Sequence, residues 1–262
     1  MISIITVVNN NTVLKNGLDK SLAQQTFSNF ELIKINNEAG EYKSMVEALE
    51  QGISQANGEW IYFIHPDIAF LTQYELEKMR HTIEEVENLE SNIKIIGVAG
   101  ATEGRERKLI SAIVHGKNQS RVGEWGGKNE KSIKYIPVQT IDSCCYAIRK
   151  ETIEKYGFWK KRKGFHMYIE ELCLRVRETG GIAVVIPVNL WHFSEGNSLD
   201  YSYYLSVKTV AYKYKSLDYI NTTSFQWKNT KLLPLILNFY AVRNYIHHKI
   251  FIIKRVQKEE TV

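Results

Sequence analysis

Apolar and polar positions along this chain switch repeatedly between a strand-like and a helix-like period. Ile2 to Val8 is a β-branched run of the kind found in a strand buried on both faces. A polar turn, Asn9 to Thr12, precedes a helical stretch through Leu18 to Ala23, and Phe30 to Ile35 forms a second strand ending at Asn36-Asn37-Glu38. From Tyr42 to Gln55 the period is helical, with Met45, Ala48, Leu49, Gly52 and Ile53 on one face. Trp60 to Ile64 is a short third strand. Pro66 cannot donate to a sheet ladder, so this strand stops there and leaves Asp67 in a loop at its C-terminal edge. In open α/β sheets that edge is where ligands bind.

The alternation continues. Tyr74 to Leu89 is a highly charged helix and Ile93 to Ala99 a strand. Gly100 to Ser132, with Gly104, Gly116, Gly123, Gly126 and Gly127, reads as a long loop or small hairpin excursion of the sort that carries function. Val138 to Ile148 returns to the sheet, and Lys150 to Tyr156 is a short helix. Tyr168 to Thr179 is a helix closed by Gly180-Gly181, and Ile182 to Ile186 is a strand stopped by Pro187. The βαβαβ order of the first 70 residues predicts a parallel, nucleotide-binding half.

Composition narrows the classes. The 262 residues, 44% apolar and 24% charged, suit one large domain or a domain with an appendage. No stretch reaches the roughly 18 apolar residues of a membrane span, and the chain enters a strand without a signal-peptide pattern. Cys144, Cys145 and Cys173 lack metal-ligand spacing and do not suggest a disulfide framework. A reduced, cytoplasmic setting is expected. Charge is uneven: residues 201–262 hold ten Lys/Arg against three Asp/Glu, while the preceding 200 hold 24 against 26. A basic surplus confined to the tail argues against a nucleic-acid-binding module.

The ordered motifs resemble those of the family 2 glycosyltransferases of the GT-A fold. Ser3-Ile4-Ile5-Thr6-Val7-Val8-Asn9 is similar to that family's opening strand, and Glu31-Leu32-Ile33-Lys34-Ile35-Asn36-Asn37 to its second. Ser44 through Phe63 resembles its next helix and strand, and His65-Pro66-Asp67 falls on the Asp-x-Asp position. A subgroup with His in place of the first Asp is a closer match. Its following strand is similar to Gly97-Val98-Ala99-Gly100, its catalytic block to Gly164 through Arg175, and its His-x-Ser-x-Gly to His192-Phe193-Ser194-Glu195-Gly196. The resemblance covers about residues 2–198.

It implies an α/β fold with a GT-A-like, Rossmann-type half and a mixed central sheet. Residues 1–100 would bind the nucleotide sugar, 101–198 would carry the acceptor and catalytic half, and 199–262 would form a helical, basic and aromatic extension. The implied reaction moves a sugar from a nucleotide-diphosphate donor to a hydroxyl of a glycan, glycoprotein or lipid-linked acceptor, with inversion and with Mn²⁺ or Mg²⁺. On matching positions, Thr6, Val8, Asn9, Asn36, Ser44, His65, Asp67 and Asp142 are implied for the nucleotide sugar. Asp67 and His192 are implied as metal ligands, Glu171 as general base with Glu170 as competitor, and His166 and Trp191 as shaping the sugar pocket.

Each residue also has an ordinary reading. Pro-Asp after a strand is a common turn, His192 could bond a backbone carbonyl, and helix-start carboxylates suit the macrodipole. Asp142 could cap the next turn, and His166 and Trp191 could be core packing. Asn36, His65 and Glu171 depart from the acidic residues the family carries there. A nucleotidyltransferase would need a Gly-rich, basic phosphate loop after the first strand, which is missing here. A binding-only protein of the same fold is the other alternative. In the tail, Leu232 to Val256 has apolar residues at three- and four-residue steps, with a break expected near Pro234. Such a helix suits a membrane surface or a second subunit.

Overall fold

In the computed structural model the chain is described over residues 1–125, 133–160, 164–194 and 200–259, with side chains through 246 in the last helix. Its strands are β1 (Ile2–Val8), β2 (Phe30–Asn36), β3 (Trp60–Ile64), β4 (Ile68–Phe70), β5 (Ile93–Gly97), β6 (Ala99–Ala101), β7 (Leu109–Ser111) and β8 (Val114–His115). They continue with β9 (Ser120–Arg121), β10 (Ile136–Val138), β11 (Thr140–Ile141), β12 (Cys145–Arg149), β13 (Ile182–Val185), β14 (Leu190–His192), β15 (Tyr219–Asn221) and β16 (Gln226–Lys228). The helices are α1 (Asn11–Leu14), which runs through a π-type turn, Lys15–Asp19, into α2 (Lys20–Leu22), then α3 (Met45–Gln55), α4 (Glu75–Leu89), α5 (Lys150–Tyr156), α6 (Tyr168–Glu178), α7 (Tyr201–Lys213) and α8 (Leu233–Glu259).

A seven-stranded sheet, ordered β10-β13-β5-β12-β3-β1-β2, forms the centre. β1 pairs in parallel with β2 and β3, β13 pairs in parallel with β5, and β12 lies antiparallel between β3 and β5. The fold is therefore α/β with a mixed central sheet. Every residue of β3 is buried, which is what a central strand covered on both faces requires. One apolar cluster joins Ile4, Tyr62 and Ile96 to Leu76 and Met79 of α4; the other joins Ile5, Ile61 and Phe63 to Leu49 of α3 and Leu172 of α6.

Local chemistry sets the ends of these elements. Ser44 caps α3 and its hydroxyl accepts from the Glu47 backbone N–H, while the Glu47 carboxylate accepts from the N–H of Ser44, a reciprocal capping box. Gly17 is needed where it stands, because a Cβ there would sit 2.7 Å from the carbonyl oxygen of Pro66. The Gly-rich excursion resolves into two short pieces: β6 and β7 pair antiparallel, as do β8 and β9. Gly126 and Gly127 lie outside the described residues.

The segment after residue 198 is more than helical. β15 and β16 form a hairpin between α7 and α8, and Pro234 sits in the first turn of α8, where its missing N–H costs nothing, so no break occurs there. The extension is also tied into the sheet region. Thr140 Oγ1 donates to the Asn221 carbonyl, and Gln139 exchanges bonds with Tyr219 and Asn221. Met167 and Leu174 join Tyr203, Val207, Ile220 and Leu237 in a third apolar cluster.

Candidate functional site

The cleft has a volume of about 1380 Å³ and opens at the C-terminal edge of the parallel strands. β3 ends at Ile64, and the backbone N–H of His65 donates to the Cys144 carbonyl, 2.9 Å. Asp67 follows in the turn before β4. Strand β14 pairs antiparallel with β4 with His192 opposite Ile68, and the Phe193 N–H donates to the Asp67 carbonyl at 3.0 Å. Two distant segments thus meet: His192 Nε2 lies 3.3 Å from Asp67 Oδ2, and His65 Nδ1 lies 4.0 Å from Asp67 Oδ1. One ligand atom from each of these three residues falls within 4.8 Å of the others, so they can share one cation.

Burial works against ionisation of Asp67, but the His192 hydrogen bond and the two imidazoles outweigh it and hold the carboxyl below its usual range. Burial likewise opposes protonation of His192, yet the contact with Asp67 leaves its pKa raised. His65 moves the other way, because burial dominates there and favours the neutral, ligating imidazole. The second ring nitrogens, His65 Nε2 and His192 Nδ1, are buried without a hydrogen-bond partner. A hard-to-borderline cation such as Mn²⁺ accepts two imidazoles and a carboxylate. The donor set fits.

Around this group the cleft is lined by Asn9, Asn37, Lys43, His115, Lys117, Asp142, His166, Glu170, Tyr203 and Thr223, among others. Strand β8 pairs in parallel with β14, setting His115 against His192 with ring centroids 4.9 Å apart. Asp142 accepts at Oδ2 from Thr223 Oγ1, 2.6 Å, and at Oδ1 from the Cys144 N–H, 2.9 Å. Burial opposes its ionisation, and these bonds with the nearby imidazoles still leave its pKa lowered.

Comparison with known proteins gives the family and the fold. Residues 3–214 match a glycosyltransferase-like family. The chain belongs to that family. The match runs through α7, beyond the limit near residue 198 that the motifs suggest. A search of curated protein sequences finds no match. Among solved structures, the chain is similar to the mannosyltransferase PcManGT from Pyrobaculum calidifontis in complex with GDP-Man and Mn²⁺, at 10% identity and TM-score 0.54, covering 82% of this chain and 63% of that one. It is similar to GalNAc-T7 with UDP, GalNAc and Mn²⁺, at 12% identity and TM-score 0.52, covering 76% of this chain and 45% of that one. It is also similar to S. aureus TarS 1-349, at 14% identity and TM-score 0.53, covering 83% and 66%. The chain thus spans less than two thirds of the length of each. At these identities the likeness establishes the fold, that of GT-A glycosyltransferases.

Within this family member several expected residues take other places. Glu171 is fully buried and lies off the cleft: its carboxylate accepts from Arg175, from Lys213 Nζ at 2.5 Å and from the Tyr214 hydroxyl at 2.9 Å. Glu170, one residue earlier, lines the cleft. Neighbouring residues on a helix point about 100° apart, so only one of the pair can face the cavity. Asn36 is exposed and its Oδ1 accepts from the Glu38 N–H; Asn37 faces the cleft, its amide held by Tyr42. Val8 and Thr6 point into the protein, and Val7 lines the cavity instead. Ser44 is a helix cap. Trp191 donates to the Gly116 carbonyl at 2.9 Å and packs on Phe193, off the cleft wall.

Asn9, His65, Asp67, Asp142, His166 and His192 do meet in one cavity, with His166 Nε2 3.4 Å from Asp200. Glu195 and Gly196 lie outside the described residues. The sequence reading missed Asn37, His115, Lys117, Tyr203 and Thr223. Asn37 had a usable signal: Ile33 and Ile35 are buried while Lys34 and Asn36 are exposed, and the same alternation turns Asn37 inward. His115 had none, since only the pairing of β8 with β14 carries it to the site.

Proposed function

We propose that this protein transfers a sugar from a nucleotide-diphosphate donor to a hydroxyl of a glycan, glycoprotein or lipid-linked acceptor, with inversion at the anomeric carbon. The observation that carries the reading is the convergence of His65, Asp67 and His192 in the wall of a large cleft in a glycosyltransferase-like chain. Structures of the same fold are described with Mn²⁺ and either GDP-Man or UDP and GalNAc, which supports a nucleotide-sugar donor. Two imidazoles and one carboxylate favour Mn²⁺ over Mg²⁺. Held by these three side chains, the cation would neutralise charge on the leaving diphosphate.

The rest of the chemistry falls to the chain itself. Lys43 and Lys117 add positive charge to the same cleft, and Asn9 and Asn37 offer hydrogen bonds to the donor. Glu170 takes the proton of the acceptor hydroxyl as its oxygen bonds to the anomeric carbon and the bond to the diphosphate breaks. A single displacement of this kind inverts the centre and needs no covalent nucleophile. Asp142, fixed by Thr223, and His166 border the sugar and acceptor side. Among the described residues no helix is long and apolar enough to cross a membrane. The reading places the reaction in the cytoplasm, where nucleotide sugars are available.

Calorimetry with UDP- and GDP-sugars, with and without Mn²⁺, tests this directly. Donor affinity should require the metal, and Asp67→Ala should abolish the metal-dependent part while the fold stays intact. Unchanged nucleotide affinity in Asp67→Ala would refute the metal assignment.

A further inference from the structure

Through Ile246, helix α8 has two apolar sides, and among the described residues only one of them is covered. Leu233, Leu237 and Ala241 are buried, and Leu233 and Leu237 pack with Val207 and Val210 of α7 and with Trp227. Leu235, Phe239, Val242 and Ile246 follow one another at steps of four, three and four, which places them in one stripe on roughly the opposite side. They are 68%, 65%, 58% and 50% exposed. Leu232 and Ile236 flank the stripe and are exposed as well. Contiguous apolar surface of this kind marks an interaction site rather than chance exposure.

Charge decides the occupant. From residue 219 to 258 the sequence carries seven Lys/Arg and no Asp or Glu. Lys231 lies two residues before α8 and Arg243 on its described part, and the sequence continues the apolar steps in Ile250 and Ile253 among further cations. A second copy offering its own α8 would set like charges against each other. A bilayer carrying anionic headgroups meets both demands, taking the apolar stripe into its interface and the cations against its phosphates. We propose that α8 is a peripheral docking surface for anionic membrane, lying in the interface plane through Leu235, Phe239, Val242 and Ile246. This surface is separate from the cleft, so it stands or falls independently of the transferase reading.

The test is co-sedimentation of the full chain with phosphatidylcholine vesicles, with and without phosphatidylglycerol, at low and high salt. Binding should be at least about tenfold tighter to the anionic vesicles and should weaken with salt. The double change Leu235→Asp with Phe239→Asp should weaken it by about tenfold or more with an unchanged melting temperature, since both side chains are exposed. Arg243→Glu should weaken it by a smaller factor without touching the stripe. Failure of the full chain to bind anionic vesicles at low salt overturns the proposal. So does binding that survives all of these changes, or a dimer in analytical ultracentrifugation that the double change splits while vesicle binding is absent.

Discussion

Two polar clusters in this molecule are built in opposite ways. Around Glu171 every charge is answered: the carboxylate is shared by Arg175, Lys213 and Tyr214, Arg175 also donates to the carbonyls of Tyr156 and Gly157, and Lys213 lies over the Trp159 ring. Around Asp67 two imidazoles converge on one carboxylate beside an open cavity, and each ring keeps a buried nitrogen without a partner. A saturated network fixes α6 against α7. The unsaturated one borders the cleft, where the proposed metal site needs it. Glu170 and Glu171, neighbours in sequence and alike in chemistry, differ in place: Glu171 belongs to the saturated network, and Glu170 lines the cleft.

The sharpest way to break this contrast is to exchange the two glutamates. Glu170→Gln is expected to lower turnover by about two to four orders of magnitude while donor affinity stays within about twofold. Steady-state transfer and calorimetry on the same protein check it. Near-normal transfer by Glu170→Gln, with donor-independent damage in Glu171→Gln, would return the base role to Glu171.

Glu171→Gln should act on stability first. Removing its charge leaves Arg175 and Lys213 uncompensated, at a cost of about 2–4 kcal/mol, below the full buried-pair figure because Lys213 is partly exposed. Burial opposes ionisation of Glu171, but its cationic partners outweigh it and depress the pKa below the ordinary 4.5. A depressed folded-state pKa means the stabilisation is fully present above 4.5 and is lost as pH falls through the lower folded value. The stability gap between wild type and Glu171→Gln, measured by denaturant unfolding, should therefore be constant near neutrality and shrink only below that range. A gap that instead widened on acidification would contradict the network.

The smallest effect concerns the link between the extension and the cleft. Thr223→Val removes the hydrogen bond to Asp142 and should cost about 1 kcal/mol, read as a severalfold rise in acceptor KM with the melting temperature little changed. No change in acceptor KM would mean that the extension closes the cleft wall without tuning it.

Much of this was legible in advance because periodicity reports burial. The strands at Ile2 to Val8 and Trp60 to Ile64, the helix at Lys150 to Tyr156 and the stop at Pro66 follow from which side chains must leave water and which backbone groups must be satisfied. The placement of Asp67 at the C-terminal edge of the parallel strands follows from the same rules. Parity was the weak point. Asn36 and Asn37, Val7 and Val8, Glu170 and Glu171 are adjacent pairs in which one member faces the cleft, and a shift of one residue reverses the assignment.

The sequence by itself determined the alternation of strands and helices, the α/β class, the acidic turn after β3, and a tail that is basic and aromatic. These depend on local steric and solvation rules that act within a few residues. Only the tertiary structure decided which residues meet. The pairing of β4 with β14 and of β14 with β8 brings His65, Asp67, His115 and His192 together from three separate segments, and the hairpin of β15 and β16 delivers Thr223 to Asp142. It also decided that Glu171 belongs to the framework, because Lys213 and Tyr214 arrive from 42 and 43 residues away. Contacts across such separations are set by how sheets and helices close on one core, and local sequence rules do not reach that far.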